Sequence, residues 1–173
     1  MEIVGYHGTS GEAARKIVQE GFRTSDGPNW FGPGVYFFES NGYLDGYTEA
    51  KQWALYVKKF PVCALVKARI QAQNYIDLIL NVEHRKVFEL ICKETRKLFA
   101  EKKSSSEFSE ATIYIKIREK MPNLELIRAM TDGSSLNTVQ TTVRPQIQVC
   151  VIKTDSIRSQ KLAWEGQNHG RRN

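Results

Sequence analysis

The sequence predicts an α+β domain in which helices pack on a split, mostly antiparallel β-sheet. Three observations lead there. The first part of the chain runs strand, helix, strand, helix, strand, and in the last of these Val62, Ala64, Val66, Ala68 and Ile70 recur with the two-residue period of a half-buried strand. The middle is helical in pattern, and β-rich sequence returns at Gln146 to Ile152. Finally, 173 residues, 41% of them hydrophobic, suit one domain with a sizeable core, expected over 1–165, followed by a polar flexible tail over 166–173.

Taken in order, Ile3 to Tyr6 is a short buried strand that delivers His7 into a His7-Gly8-Thr9 turn. Ala13, Ala14, Ile17 and Val18 make the apolar face of a first helix, with Thr9 and Glu12 spaced as a capping box and Gly21 as the stop. Thr24 to Asn29 is turn chemistry, and the Gly32-Pro33-Gly34 corner leads into a strand from Val35 to Phe38. After the loop Asn41 to Gly46, Thr48 caps a second helix with Ala50, Trp53, Ala54 and Val57 inward, ended by Pro61. The long strand from Val62 follows, then a short continuation at Tyr75 to Leu78.

Val82 to Lys103 reads as a third helix with Val87, Leu90, Ile91, Leu98 and Phe99 inward, followed by a polar break to Ser106. In Glu110 to Met121 the isoleucines alternate as in a strand, but Ser109 and Pro122 bracket the stretch as a helix, and a helix is expected. Leu124 to Met130 is a strand, Thr131 to Pro145 a long loop, and the last strand closes at Asp155-Ser156-Ile157.

Composition narrows the function. No apolar run approaches the roughly 20 residues of a membrane helix, and the N-terminus lacks a basic-then-apolar leader, so a cytoplasmic location away from membranes is expected. Cys63, Cys92 and Cys150 are scattered, which fits core thiols and offers no metal site. A net charge of +6 suits a polyanionic partner or a phosphate-rich cofactor, and equally a merely basic surface.

Two motifs stand out, Tyr6-His7-Gly8-Thr9 and Phe31-Gly32-Pro33-Gly34-Val35-Tyr36-Phe37, separated by the first helix and its Gly21-Phe22 end. An imidazole, a glycine that admits close approach and a strand tyrosine outline a ligand site. Their order and approximate spacing resemble the ADP-ribosyltransferases of the His-Tyr-Glu type, the branch of diphtheria toxin and the poly-ADP-ribose polymerases. The resemblance is close over the first third of the chain and weaker beyond.

The resemblance implies a fold whose sheets form a cleft for NAD, used as co-substrate. It implies that His7 bonds the adenosine ribose, that the Gly8 backbone holds the nicotinamide carboxamide, and that Tyr36 stacks on the nicotinamide ring. Thr9 either assists the ribose or caps the helix. A second stacking tyrosine would be Tyr47, with Tyr43 competing. The family's third residue is a glutamate on a late strand, and here none stands there: counting back from Asp155, Gln148 aligns best, with Gln146 on the same face as the alternate.

An amide takes no proton at neutral pH, so chain elongation is disfavoured and single transfers to a nucleophile such as a nucleobase amine are favoured. Arg128, Arg144 and Lys153 could hold phosphates or be solvated, and Trp30 and Trp53 could stack a base, Trp53 being better placed for the core. The expectation is therefore a mono-ADP-ribosyltransferase with a nucleic-acid acceptor, RNA favoured over DNA. By analogy it would be an intracellular toxin of a toxin–antitoxin or antiviral defence system, held by an antitoxin protein. The rivals are a protein acceptor, a catalytically dead module that binds NAD or ADP-ribose, and last an RNA 2′-phosphotransferase, for which only His7, His84 and His169 are on hand.

Overall fold

The strand from Val62 to Gln71 is paired on both sides and covered by a helix on each face. In the computed structural model, which describes residues 1–25, 29–101, 110–132 and 145–168, its residues Cys63 to Val66, Ala68 and Ile70 are almost wholly shielded from solvent. The strands of the described residues are β1 (Glu2–Ser10), β2 (Val35–Ser40), β3 (Val62–Gln71), β4 (Tyr75–Asp77), β5 (Leu126–Asp132), β6 (Pro145–Val151) and β7 (Ile157–Gln167). They form one sheet in the order β4-β5-β6-β2-β1-β3-β7, antiparallel except between β4 and β5. The mixed α+β class and the mostly antiparallel sheet are as expected.

Helices α1 (Gly11–Glu20), α2 (Gly46–Gln52), α3 (Val82–Glu101) and α4 (Glu110–Lys120) cover both faces. Ala14 of α1 packs on Ala64 and Val66, whereas Ala50 of α2 packs on Leu65 and Phe38. Neighbouring β3 residues point to opposite faces, so α1 and α2 lie on opposite sides of the sheet. Ile91 of α3 and Ile113, Tyr114 and Ile117 of α4 enclose Ile127, Ala129 and Cys150, with Tyr36 at the margin. Tyr36 and Phe38 share one face of β2, which puts α3 and α4 on the α2 side.

The sheet is split, though not into two separate sheets. β1 meets β2 through three residue pairs, Val4 with Ser40, Gly5 with Glu39 and Tyr6 with Phe38. Beyond them His7 to Ser10 pair with β3 and Val35 to Phe37 pair with β6, so the two strands part. The Nδ1–H of His7 donates to the Tyr36 carbonyl, 2.8 Å away, and this side-chain bond crosses the gap where the ladder ends.

Several boundaries differ from the sequence reading. His7-Gly8-Thr9 is not a turn: β1 runs through it to Ser10, whose hydroxyl caps α1 by accepting from Ala13 N, so the cap is Ser10 and not the Thr9/Glu12 box. Val18 of that helix is exposed. Asp45, not Thr48, caps α2, accepting from both the Thr48 amide and its hydroxyl. After Gln52 the helix widens into a π-turn, Trp53–Val57, in which Lys58 N bonds Trp53 O.

On α3 the buried stripe is Ile91 and Thr95, flanked by Phe88 and Cys92, while Val87, Leu90 and Leu98 face outward. The chain does not stop at Ile157. It continues as β7 along β3, and Gly166 and Gln167 of the expected flexible tail belong to that strand, with Asn168 N bonded to Pro61 O. Polar sequence and two register shifts hide this edge strand from a period-two reading. The polar break at 102–106, most of the 131–145 loop with Arg144, and His169 lie outside the described residues.

Candidate functional site

Where β1 and β2 part, a cleft of about 690 Å³ opens, within the ordinary range for small-molecule sites. His7, Gly8 and Thr9 come from β1, Tyr36 to Phe38 from β2, Gln146 and Gln148 from β6, and α1 and the π-turn add Ile17, Trp53 and Val57. The edge of β1 that faces this opening has no strand partner beyond Tyr6, which leaves extended backbone along the cleft wall.

His7 is packed edge-on against Phe22 and Phe37, with ring centroids 5.5 and 5.9 Å away. Burial lowers its pKa below the ordinary 6.5, only partly opposed by the bond to the Tyr36 carbonyl. That carbonyl can only accept, so Nδ1 carries the proton of the neutral ring and Nε2 is left as an acceptor. The group is a fixed hydrogen-bonding imidazole rather than a cation.

Tyr36 is fixed at both ends. Its ring lies parallel to that of Phe31, 5.9 Å between centroids, and its hydroxyl donates to Gly32 O (2.6 Å) and accepts from Phe31 N (3.0 Å). Gly32 sits at φ +79°, the left-handed region that glycine adopts without cost. Arg118 of α4 donates to the carbonyls of Pro33 and Phe31 and holds the same corner. Burial pushes the Tyr36 phenol far above its usual range, and it stays protonated. With its hydroxyl committed to the corner, the ring serves as a flat wall of the cleft and not as a nucleophile.

Gly8 has a structural reason for its identity. A Cβ there would stand 2.2 Å from the backbone oxygen of Ala50, so β1 and α2 approach only because the side chain is absent. Gly8→Ala is expected to destabilise the fold by about 1–3 kcal/mol, the usual cost of overpacking, measurable by chemical denaturation. The close fit to α2 thus accounts for the glycine without any ligand, and its backbone still lines the cleft. Thr9 is 8% exposed and lines the cleft too; helix capping falls to Ser10.

The two glutamines differ. Gln148 is half-buried, stands opposite Phe38 and Ala129, and lines the cleft. Gln146, 6% exposed, lines it as well, but its amide donates to the Glu49 carboxylate of α2. Neither Tyr47 nor Tyr43 reaches this cleft. Tyr47 packs edge-on against Tyr6, 5.6 Å away, and Tyr43 is fully exposed beside a second cavity of about 330 Å³. Trp30 and Trp53 both line the main cleft, and Trp53 also packs on the core cluster of Phe38, Ala50 and Leu65, as expected.

Arg128 is neither solvated nor poised for phosphate. It is 7% exposed and makes two bonds to Glu39, at 2.5 and 3.0 Å, and two to Asp77, at 3.1 and 3.2 Å. Both acids are buried. Lys153 is exposed. Among the described residues no group of three or more His, Cys, Asp or Glu is placed to hold a metal, and no helix is long and apolar enough to cross a membrane. Cys63 and Cys150 are buried thiols, and burial raises Cys150 to about 11.

Sequence reasoning missed Arg118 and Glu49, which act through contacts between elements remote in the chain: Arg118 meets the corner 85 residues earlier, and Gln146 meets Glu49 across 97. No family model matches the chain, and no curated protein matches it.

Proposed function

We propose that the protein is a mono-ADP-ribosyltransferase that cleaves NAD and transfers one ADP-ribose to a nucleic acid, RNA in preference to DNA. One observation carries this reading. His7 from the first strand, Tyr36 from the glycine-rich corner and Gln148 from the late strand line a single cleft at the split in the sheet, which supports the reading drawn from the resemblance to His-Tyr-Glu enzymes. Cleaving the nicotinamide–ribose bond needs no general acid, because the leaving group is already a cationic pyridinium. It needs the dinucleotide to be held and bent, and a polar group near the ribose as positive charge develops there. The neutral His7 imidazole, the clamped Tyr36 ring and the Gln148 amide suit those three tasks.

The net charge of +6 and the absence of a carboxylate at the β6 position support a nucleobase amine as acceptor. Protein is the second reading, favoured by Asp45 and Glu49 in the adjoining cavity, whose carboxylates also suit a guanidinium. Incubation with labelled NAD, total RNA and a protein extract tests both. Nicotinamide release with nuclease-sensitive label supports the proposal, and protease-sensitive, nuclease-resistant label supports the second reading. If nicotinamide is not released, or is released equally by Tyr36→Ala, ADP-ribosyl transfer at this site is refuted.

A further inference from the structure

We propose that a single strand of nucleic acid reaches the cleft by crossing α2, held by lysines and aromatic rings on both flanks of that helix. This rests on the reading of an ADP-ribosyltransferase with RNA as acceptor, and adds to it the surface that holds the strand.

The first flank gathers three cations around three rings. Leu65 of β3 packs on Ala50 of α2, so Lys67, two residues further along the strand, points to the same side of the sheet. Lys67 stands opposite Lys161 of β7, and Leu65 stands opposite Trp164. The Lys67 ammonium lies 5.7 Å from the ring centroid of Tyr6. That of Lys51, on α2, lies 4.3 Å from Trp164 and 6.0 Å from Tyr47. Tyr6 and Tyr47 meet edge to face. Elsewhere Lys16, Lys86, Lys116 and Lys120 lie against carboxylates. Like charges directly opposite on paired strands weaken a sheet, so the Lys67–Lys161 pair carries a cost that a bound polyanion would relieve.

The second flank is the wall of the cleft itself. Two positions apart on a helix, residues are turned by about 200°, so Trp53 leaves α2 on the side away from Lys51 and lines the cleft. The π-turn then gives Trp53 a cation. In an α-helix position 58 would be turned from position 53 by about 140°. Here the bond from Lys58 N to Trp53 O closes a wider turn and brings the two side chains together, with the Lys58 ammonium 5.5 Å from the indole. Lys58 also lines the cleft. This is the reacting end of the site: the Trp53 ring lies 6.3 Å from that of Phe38, which stands opposite Gln148. Ammonium groups for phosphates and flat faces for bases are what a single strand needs, whereas a duplex hides its base faces. Cation–π attraction holds the lysines over the rings only weakly, so they turn to phosphate as the strand binds and free the rings for bases.

The test measures binding of the full chain, without NAD, to a fluorescent single-stranded RNA of about 12 nucleotides. The triple variant Lys51→Gln, Lys67→Gln, Lys161→Gln should bind about tenfold or more weakly, and its salt dependence should be shallower by about 2, at about 0.7 for each lost phosphate contact. Its melting temperature should not fall, because the repulsion between Lys67 and Lys161 goes with the charges. The triple variant Lys86→Gln, Lys97→Gln, Lys120→Gln loses the same charge from α3 and α4 and should bind within about twofold of the unaltered chain. Equal weakening in the two triples, or no binding of RNA by the unaltered chain, overturns the proposal. A duplex of the same sequence that competes as well as the single strand overturns it too. In the transfer assay Lys58→Gln should raise the KM for RNA about 3–10-fold and leave that for NAD unchanged; a rise confined to NAD overturns the place of Lys58 on the acceptor path. Intact nicotinamide release with normal RNA binding by the first triple overturns this inference alone. No nicotinamide release from the unaltered chain, with RNA binding that still depends on those three lysines, overturns the transferase reading and leaves the surface standing.

Discussion

Replacing Arg128 with methionine should lower the free energy of unfolding by about 3–5 kcal/mol, the usual cost of removing one partner from a buried ion pair. Arg128 on β5 joins Glu39 on β2 to Asp77 on β4, reaching past β6, and all three are under a tenth exposed. Methionine keeps much of the volume but leaves two carboxylates in low dielectric with no cation. Asp77 would keep its bonds from the Ile79 and Leu80 amides, and Glu39 would keep Asn41, so part of each charge stays solvated by the protein. Urea unfolding of the two proteins measures the difference. The triple variant Arg128→Met, Glu39→Gln, Asp77→Asn should recover part of the loss, because it removes the uncompensated charge along with the cation. A cost for Arg128→Met below about 1 kcal/mol would mean that the triad is solvated, as surface pairs are.

The second large effect is on activity. His7→Ala should reduce NAD turnover by about 100-fold or more, the scale associated with a misplaced substrate. The imidazole bonds across the parting strands, so its loss removes both an acceptor at Nε2 and the tie to Tyr36 O. Stability should report the same group. With the folded pKa lowered by burial beneath 6.5, acidification protonates the unfolded chain first. The unfolded state then binds more protons, so this contribution to stability is present above about pH 6.5 and is lost as pH falls towards the lower folded value. Unfolding at pH 8 and pH 5 should show a larger drop for the unaltered chain than for His7→Gln, whose amide does not titrate. An equal drop in the two would refute the assignment of a neutral, half-buried His7.

The legible parts of the fold were those with strong local periodicity. The alternation from Val62 to Ile70 set the long strand β3, and the bracketing of Glu110 to Met121 by breakers located α4 despite its strand-like isoleucines. His7, Tyr36 and both glutamines, which the family resemblance brings together, line one cleft. What failed was of two kinds. Caps were misassigned by one or three residues, because Thr9 and Ser10, or Asp45 and Thr48, offer similar oxygens and backbone geometry decides between them. The face of α3 was misjudged, because Val87, Leu90 and Leu98 are as apolar as Ile91, and the helix turns on which stripe meets α4. Arg128 read as either a phosphate contact or a solvated charge because its two acids lie 89 and 51 residues away in the chain.

The three-pair seam between β1 and β2 also governs how the molecule can be divided. One side of it holds β1, β3 and β7 and the other holds β2, β4, β5 and β6. The chain passes from side to side between β1 and β2, β2 and β3, β3 and β4, and β6 and β7. Neither side is a continuous piece of sequence, so no single cut yields two fragments that each carry one wall of the cleft intact. The binding site is interlaced through the polypeptide, and a fragment library would recover it only from pieces spanning almost all of the sheet.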